Sequence, residues 1–149
     1  MSDSQNNPYF IGSFTHAVDE KGRLTLPARW RLEGSEQTFL GLPFPDGQIH
    51  VLPPLGVREM RKKMRKGKLT PKKKNILMGI FAKGDQFECD KQGRFVLSKD
   101  LREHAGIEGK GQALMLGVLN TFTILNPTGY EPPSPDSIKS AIDDLNLLY

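Results

Sequence analysis

The sequence predicts an α+β protein built by tandem duplication, and three observations carry that prediction. The stretch DEKGRLTLP at residues 19–27 returns as DKQGRFVLS at residues 90–98, so that Asp19/Asp90, Gly22/Gly93, Arg23/Arg94 and Leu26/Leu97 are each 71 positions apart. Each copy is followed by a short helical signal and then by two strand-like runs. Each half closes on a proline just past its last strand, Pro53 and Pro127.

Taken in order, Phe14, Ala17 and Val18 before the first turn and Leu24 and Leu26 after it read as a hairpin. Pro27 suits the first position of a short helix carrying Trp30, with Gly34 as its stop. Strands are expected at 38–42 and 49–52, separated by the turn at 43–47. The second half repeats the plan: Phe87, Cys89, Phe95 and Leu97 flank its turn, and Ser98 caps a helix with Leu101 and Ala105 on one face. Gly106 stops that helix, and strands follow at 114–116 and 122–125. Between the halves, Val57, Met60 and Met64 form a narrow apolar stripe on a basic rod, and Pro71 opens a second helix carrying Ile76, Leu77 and Ile80. After a linker at 128–133, Ser134 caps a last helix whose stripe is Ile138, Ala141, Ile142 and Leu145. The expected organisation is a disordered arm at 1–9, repeats at 10–54 and 85–127, a basic helical connector at 55–84, and a linker and helix at 128–149.

Composition bounds the function. A chain of 149 residues fits one domain, or two small halves sharing a core. The single cysteine excludes an intramolecular disulfide framework and suits a reducing cytoplasm. The opening MSDSQNNPYF is unlike a signal peptide, and the longest apolar run, 113–119, is far too short for a membrane span. Net charge is +4, but ten Lys or Arg against one Glu between Arg58 and Lys74 give that segment +9 and leave −5 elsewhere. A concentrated basic segment on a slightly acidic remainder suits a polyanion-binding surface, and a solvated helix is the plainer alternative.

The repeated turn has two layers. Asp at its first position and Gly at its fourth are explained by turn chemistry alone, because Asp hydrogen-bonds nearby backbone amides. Arg23 and Arg94 begin strands four residues past those aspartates, where a carboxylate can orient a guanidinium. An arginine so fixed, with Lys21 or Lys91 beside it, can meet phosphate or a guanine edge, although a purely structural Asp–Arg pair fits as well.

The motifs DEKGRLTLPARWR and DKQGRFVLSKDLREHAGI, with NILMGIFA between them, resemble the MraZ family of bacterial transcriptional regulators over residues 10–130. The resemblance implies an AbrB-like swapped-hairpin β-barrel with flanking helices, both halves supplied by one chain. It further implies double-stranded DNA as partner, near the head of the division and cell-wall gene cluster, bound at short G-rich direct repeats by a ring-shaped homo-oligomer in the cytoplasm and nucleoid. The family's Asp-x-x-x-Arg motif falls on Asp19 and Arg23, and on Asp90 and Arg94. Departures are Ser98 where proline is usual, Asn126 and Tyr130 where tryptophans are common, and an idiosyncratic tail from Glu131. Joined to the residue reading, this makes Arg23, Lys21, Arg29, Arg31, Lys72, Lys73 and Lys74 the expected DNA contacts. Asp19, Gly22, Asp90, Gly93 and Arg94 take structural roles, the first copy being favoured because Arg29 and Arg31 follow it while Asp100 and Glu103 follow the second.

Catalysis finds little support. His16, His50 and His104 lack metal-ligand spacing, and neither a metalloprotease, zinc-ribbon nor nucleophile-elbow motif occurs, so no cofactor, metal or catalytic residue is expected. The rival reading is an RNA-binding or general nucleic-acid-binding protein using 58–74 alone. Its weakness is that Phe14, Phe39, Phe87, Phe95 and Phe122 fall at core strand positions, and the basic run holds no aromatic on which a base could stack.

Overall fold

The computed structural model describes residues 9–32 and 38–146. Within them the chain runs β1 (Ser13–Ala17), β2 (Arg23–Thr25), a 3-10 turn (Ala28–Trp30), β3 (Thr38–Pro43), β4 (Ile49–Leu52), α1 (Pro54–Lys66) and α2 (Pro71–Ala82). It continues through β5 (Asp85–Glu88), β6 (Arg94–Val96), α3 (Lys99–Ala105), β7 (Gln112–Gly117), β8 (Phe122–Leu125) and α4 (Pro135–Leu145). This is the mixed α+β chain expected, with an antiparallel six-stranded sheet ordered β1-β7-β8-β4-β3-β5 and a separate two-stranded ribbon of β2 and β6.

The pairing corrects the local hairpin. β1 pairs with β7 rather than with β2, β5 pairs with β3, and β2 pairs with β6, so the strands of the two halves interleave. The physical reason lies in the length of β2 and β6. A three-residue strand paired only with its neighbour makes an isolated ribbon with little to bury. Paired across the halves, β2 and β6 deliver Leu24 and Phe95 together into the core. β1 and β5 are the edges of the large sheet, and each leads through its Asp-x-x-Gly-Arg turn into the ribbon, which bridges them. The registers Leu24↔Phe95 in the ribbon and His50↔Thr123 in the central β4–β8 pair mark a pseudo-twofold axis relating the halves.

One core serves both halves. Trp30, fully buried, lies among Phe10, Phe14 and Phe122, with ring centroids 5.1 to 5.6 Å apart, while Phe39 stacks on Phe87 and Phe87 on Phe95. Phe10, the first residue of the expected first repeat, is tied in by backbone bonds to and from Leu119; residues 1–8 lie outside the described residues, as does Gly34.

Helix ends follow the chemistry of their sequences. Ser98 accepts from the Leu101 amide, Thr70 from Lys73 and Ser134 from Ser137. Serine therefore supplies the cap at the position where proline is usual. Pro27 stands just before the 3-10 turn with an extended backbone, one position earlier than expected, and α1 begins at Pro54 rather than Val57 because proline is favoured in a first turn, where its missing amide costs nothing. α1 packs on β3 and β4, α2 on β3, and α3 on β3 and β4. α4 buries none of its residues.

Candidate nucleic-acid interface

Each turn is built the same way. The Gly22 amide donates to the Asp19 carbonyl at 3.0 Å and Gly93 to Asp90 at 3.0 Å, and both glycines adopt φ near +80°, a conformation only glycine takes without strain. The carboxylate organises the rest. Asp19 Oδ1 accepts from the amides of Lys21 (2.9 Å) and Arg23 (2.8 Å), and its Oδ2 accepts from Arg23 Nε at 2.7 Å. Asp90 repeats the set with Gln92, Arg94 and Arg94 Nε at 2.9, 2.9 and 2.8 Å. Using Nε on the aspartate leaves the two terminal nitrogens of each guanidinium without a hydrogen bond among the described residues.

The ribbon brings the two arginines together. Arg23 lies opposite Val96 and Arg94 opposite Thr25, so all four share the outer face while Leu24 and Phe95 point inward. Two positions along a strand and one strand across separate their Cα atoms by roughly 8 Å. Both side chains are partly exposed, 33% and 40%.

Arg31 lies against the turn of the second half. Its Nε donates to the Leu26 carbonyl at 3.3 Å, and its guanidinium lies against Gly93, the glycine of the other half's turn, so closely that a β-carbon there would overlap it. The same contact is made in mirror by Arg102, which donates to the Leu97 carbonyl at 3.1 Å and lies over Gly22. Each arginine thus braces the turn of the opposite half. Arg102 was missed by the sequence reading, although it stands 71 residues after Arg31, the offset of the motif itself. The proximity of Arg31 to the first motif in sequence therefore gives no reason to favour the first turn. Arg29 and Lys21 are exposed. Lys72, Lys73 and Lys74 occupy the exposed first turn of α2, which packs on β3, and no ion pair among the described residues joins them to the ribbon.

The carboxyls of Asp19 and Asp90 are held below their ordinary value of 3.8, first by the backbone amides of Arg23 and Arg94, then by the guanidinium hydrogen bonds. A depressed folded value contributes stability above the ordinary value that is lost as pH falls through the folded one. Thermal melts are expected to hold level down to about pH 4 and then decline, and the decline should be shallower in D19N/D90N.

Cys89 packs against the core, and burial, helped by the Asp90 carboxylate, pushes its thiol up to about 12. A thiol reagent at neutral pH is expected to leave native Cys89 unmodified and to label it once urea unfolds the chain. Rapid native labelling would contradict that burial. Among the described residues no group of His, Cys, Asp and Glu is arranged to hold a metal ion.

The fold and this surface define a duplicated α+β protein whose interleaved halves present a mirrored, arginine-bearing ribbon. The family model described as "MraZ protein, putative antitoxin-like" matches residues 80–135. Transcriptional regulator MraZ of Finegoldia magna is 30% identical over 145 residues, spanning 93% of this chain and 99% of that protein. The Caldicellulosiruptor bescii protein of the same name is 32% identical over 145 residues (92% and 99%), and that of Pelodictyon phaeoclathratiforme is 36% identical over 109 (66% and 72%). The chain belongs to the MraZ family.

Proposed function

We propose that this protein regulates transcription by binding duplex DNA through the outer face of the β2–β6 ribbon. The observation that carries the reading is the pairing of Arg23 and Arg94 on one face, each oriented by its own aspartate. A two-stranded ribbon fits the major groove, and an arginine with two free terminal nitrogens can donate both to the O6 and N7 of guanine. This agrees with the short G-rich repeats that the family resemblance implies near the division and cell-wall genes. The interleaved pairing is likewise consistent with the swapped-hairpin barrel of that resemblance. Both arginines take part in this reading, in place of an asymmetric role for Arg23 alone. Lys21, Arg29 and the basic segment with Lys72, Lys73 and Lys74 supply phosphate contacts, and Arg31 works indirectly by bracing the second turn. One ribbon is a small footprint, and repetition of it on a homo-oligomer would multiply affinity over successive repeats.

The basic segment also suits RNA, but Phe39, Phe87, Phe95 and Phe122 are buried in the core, where no base can stack on them. Competition at fixed salt between a labelled G-rich direct-repeat duplex, the same duplex scrambled, and single-stranded and structured RNA tests the proposal. Preference for the G-rich duplex is expected; equal or better competition by RNA overturns it. Neutralising Lys72, Lys73 and Lys74 together is expected to weaken all duplexes alike and lower the log–log salt slope by up to about 3. An unchanged slope assigns those lysines to solubility.

A further inference from the structure

We infer that Val96 reads a thymine methyl group close to the guanines met by Arg23 and Arg94, which makes the ribbon's site unsymmetrical. This contact presupposes the proposed binding by the ribbon and adds a second base to what the same face selects. The outer face of the ribbon presents Arg23 and Thr25 from β2 and Arg94 and Val96 from β6. The Leu26 amide donates to the Gly93 carbonyl and the Leu97 amide to the Gly22 carbonyl. Hydrogen-bonded and non-bonded pairs alternate along an antiparallel ladder, so Arg23 with Val96 and Thr25 with Arg94 are non-bonded pairs. Their β-carbons stand roughly 5 Å apart, and the next outward residue on each strand lies roughly 7 Å further on. Base pairs are stacked about 3.4 Å apart, so Val96 lies within about two base pairs of the guanine under either arginine.

An outward valine alone is ordinary in a strand. Val96 is set apart by its company: it is 53% exposed and shares its face with two oriented guanidinium groups. Its methyl groups neither donate nor accept a hydrogen bond, and in the major groove only thymine offers a methyl group to meet them. A polar base edge pressed against Val96 would lose its water with nothing in exchange. Attraction to thymine and rejection of the other bases therefore act in the same direction.

Thr25 holds the equivalent position in the first half, 71 residues earlier, just as Arg23 is the equivalent of Arg94. Its hydroxyl serves donors and acceptors alike beside a single methyl group, so Thr25 discriminates less. The arginines by themselves would read the duplex with twofold symmetry, and the unlike pair of Thr25 and Val96 removes it. The tips differ as well: Glu20, 3.2 Å from Lys110, stands where the second turn has Lys91. The two orientations of the ribbon on a duplex are thus inequivalent.

Sequencing the duplexes that the full chain retains from a random pool, followed by gel-shift titration of the preferred one, tests this. That duplex is expected to carry thymine within two base pairs of a guanine, required more strictly on one side of its centre than on the other. Replacing this thymine by deoxyuridine removes only the methyl group and should weaken the wild type about fourfold, the value of one buried methyl. V96A should bind the thymine and deoxyuridine duplexes nearly alike, whereas T25A should keep the difference at this base. V96Q should move the selected base from thymine to adenine, whose N6 and N7 pair with a glutamine amide. Melting temperatures of the three variants should stay close to wild type, since the substituted side chains lie on the outer face. A preferred duplex without such a thymine, a deoxyuridine form bound equally well by the wild type, or a V96A chain that keeps the fourfold difference overturns the inference. If guanines that depend on Arg23 and Arg94 persist in those cases, recognition by the ribbon stands. A pool that yields no guanine-containing preference strikes the ribbon reading and the thymine contact together.

Discussion

Arg23→Ala and Arg94→Ala are each expected to weaken binding to a specific G-rich duplex by roughly 1–3 kcal/mol, the cost of a lost base-edge contact. Binding to scrambled duplex should change little. The two losses should be similar, because both arginines share one face of the ribbon, each is held by an aspartate of its own turn, and their exposures are comparable. Asp19→Asn separates positioning from contact: it keeps the arginine but slackens its orientation, so its loss should be smaller than that of Arg23→Ala. Melting temperatures of all three variants close to wild type would place the effects on recognition. A strong loss for Arg23→Ala with none for Arg94→Ala would restore the asymmetric reading drawn from sequence.

Trp30→Ala is expected to cost about 3–5 kcal/mol of stability, the range for truncating a fully buried large aromatic. The indole touches Phe10, Phe14 and Phe122 and donates from Nε1 to the Ile11 carbonyl at 3.2 Å, so its removal opens a cavity and orphans a donor's partner together. Against a total of about 5–15 kcal/mol this is a large fraction. Thermal melting followed by far-UV circular dichroism should fall by roughly 10 °C or more for a chain of this size. Fluorescence cannot serve, because this is the only tryptophan. Trp30→Phe, which refills part of the volume, should lose less than half as much, and equal losses would show that the ring cluster tolerates repacking.

The elements were legible in the sequence where local chemistry decides them. Ser98, Ser134 and Pro71 mark helix starts by their own side chains, and the 71-residue offset exposes the two turns directly. Strand partners were not legible, because alternation in β1 or β2 states which face is buried and not which strand lies alongside. Arg31 illustrates the same limit at the site. It follows the first motif by a few residues, yet it meets Gly93, which only the crossing of the halves brings near. Arg102 was hidden for the opposite reason: its neighbours Asp100 and Glu103 made the local charge look acidic, and its guanidinium acts on a turn in the other half.

The register Ser13↔Leu116 joins residues more than a hundred positions apart, and this has a kinetic meaning. During synthesis the amino-terminal strands leave the ribosome with their edges open, and β1 and β2 wait for β7 and β6 before either can close. Non-local pairing of this kind folds slowly, on the millisecond-to-second scale rather than in microseconds. The connector of α1 and α2 is therefore also the tether that sets how often the halves meet. Since doubling a flexible loop adds only about 0.6 kcal/mol to its closure, the tether can be long without much thermodynamic cost. Cutting it would turn one folding chain into two fragments that find each other only by diffusion.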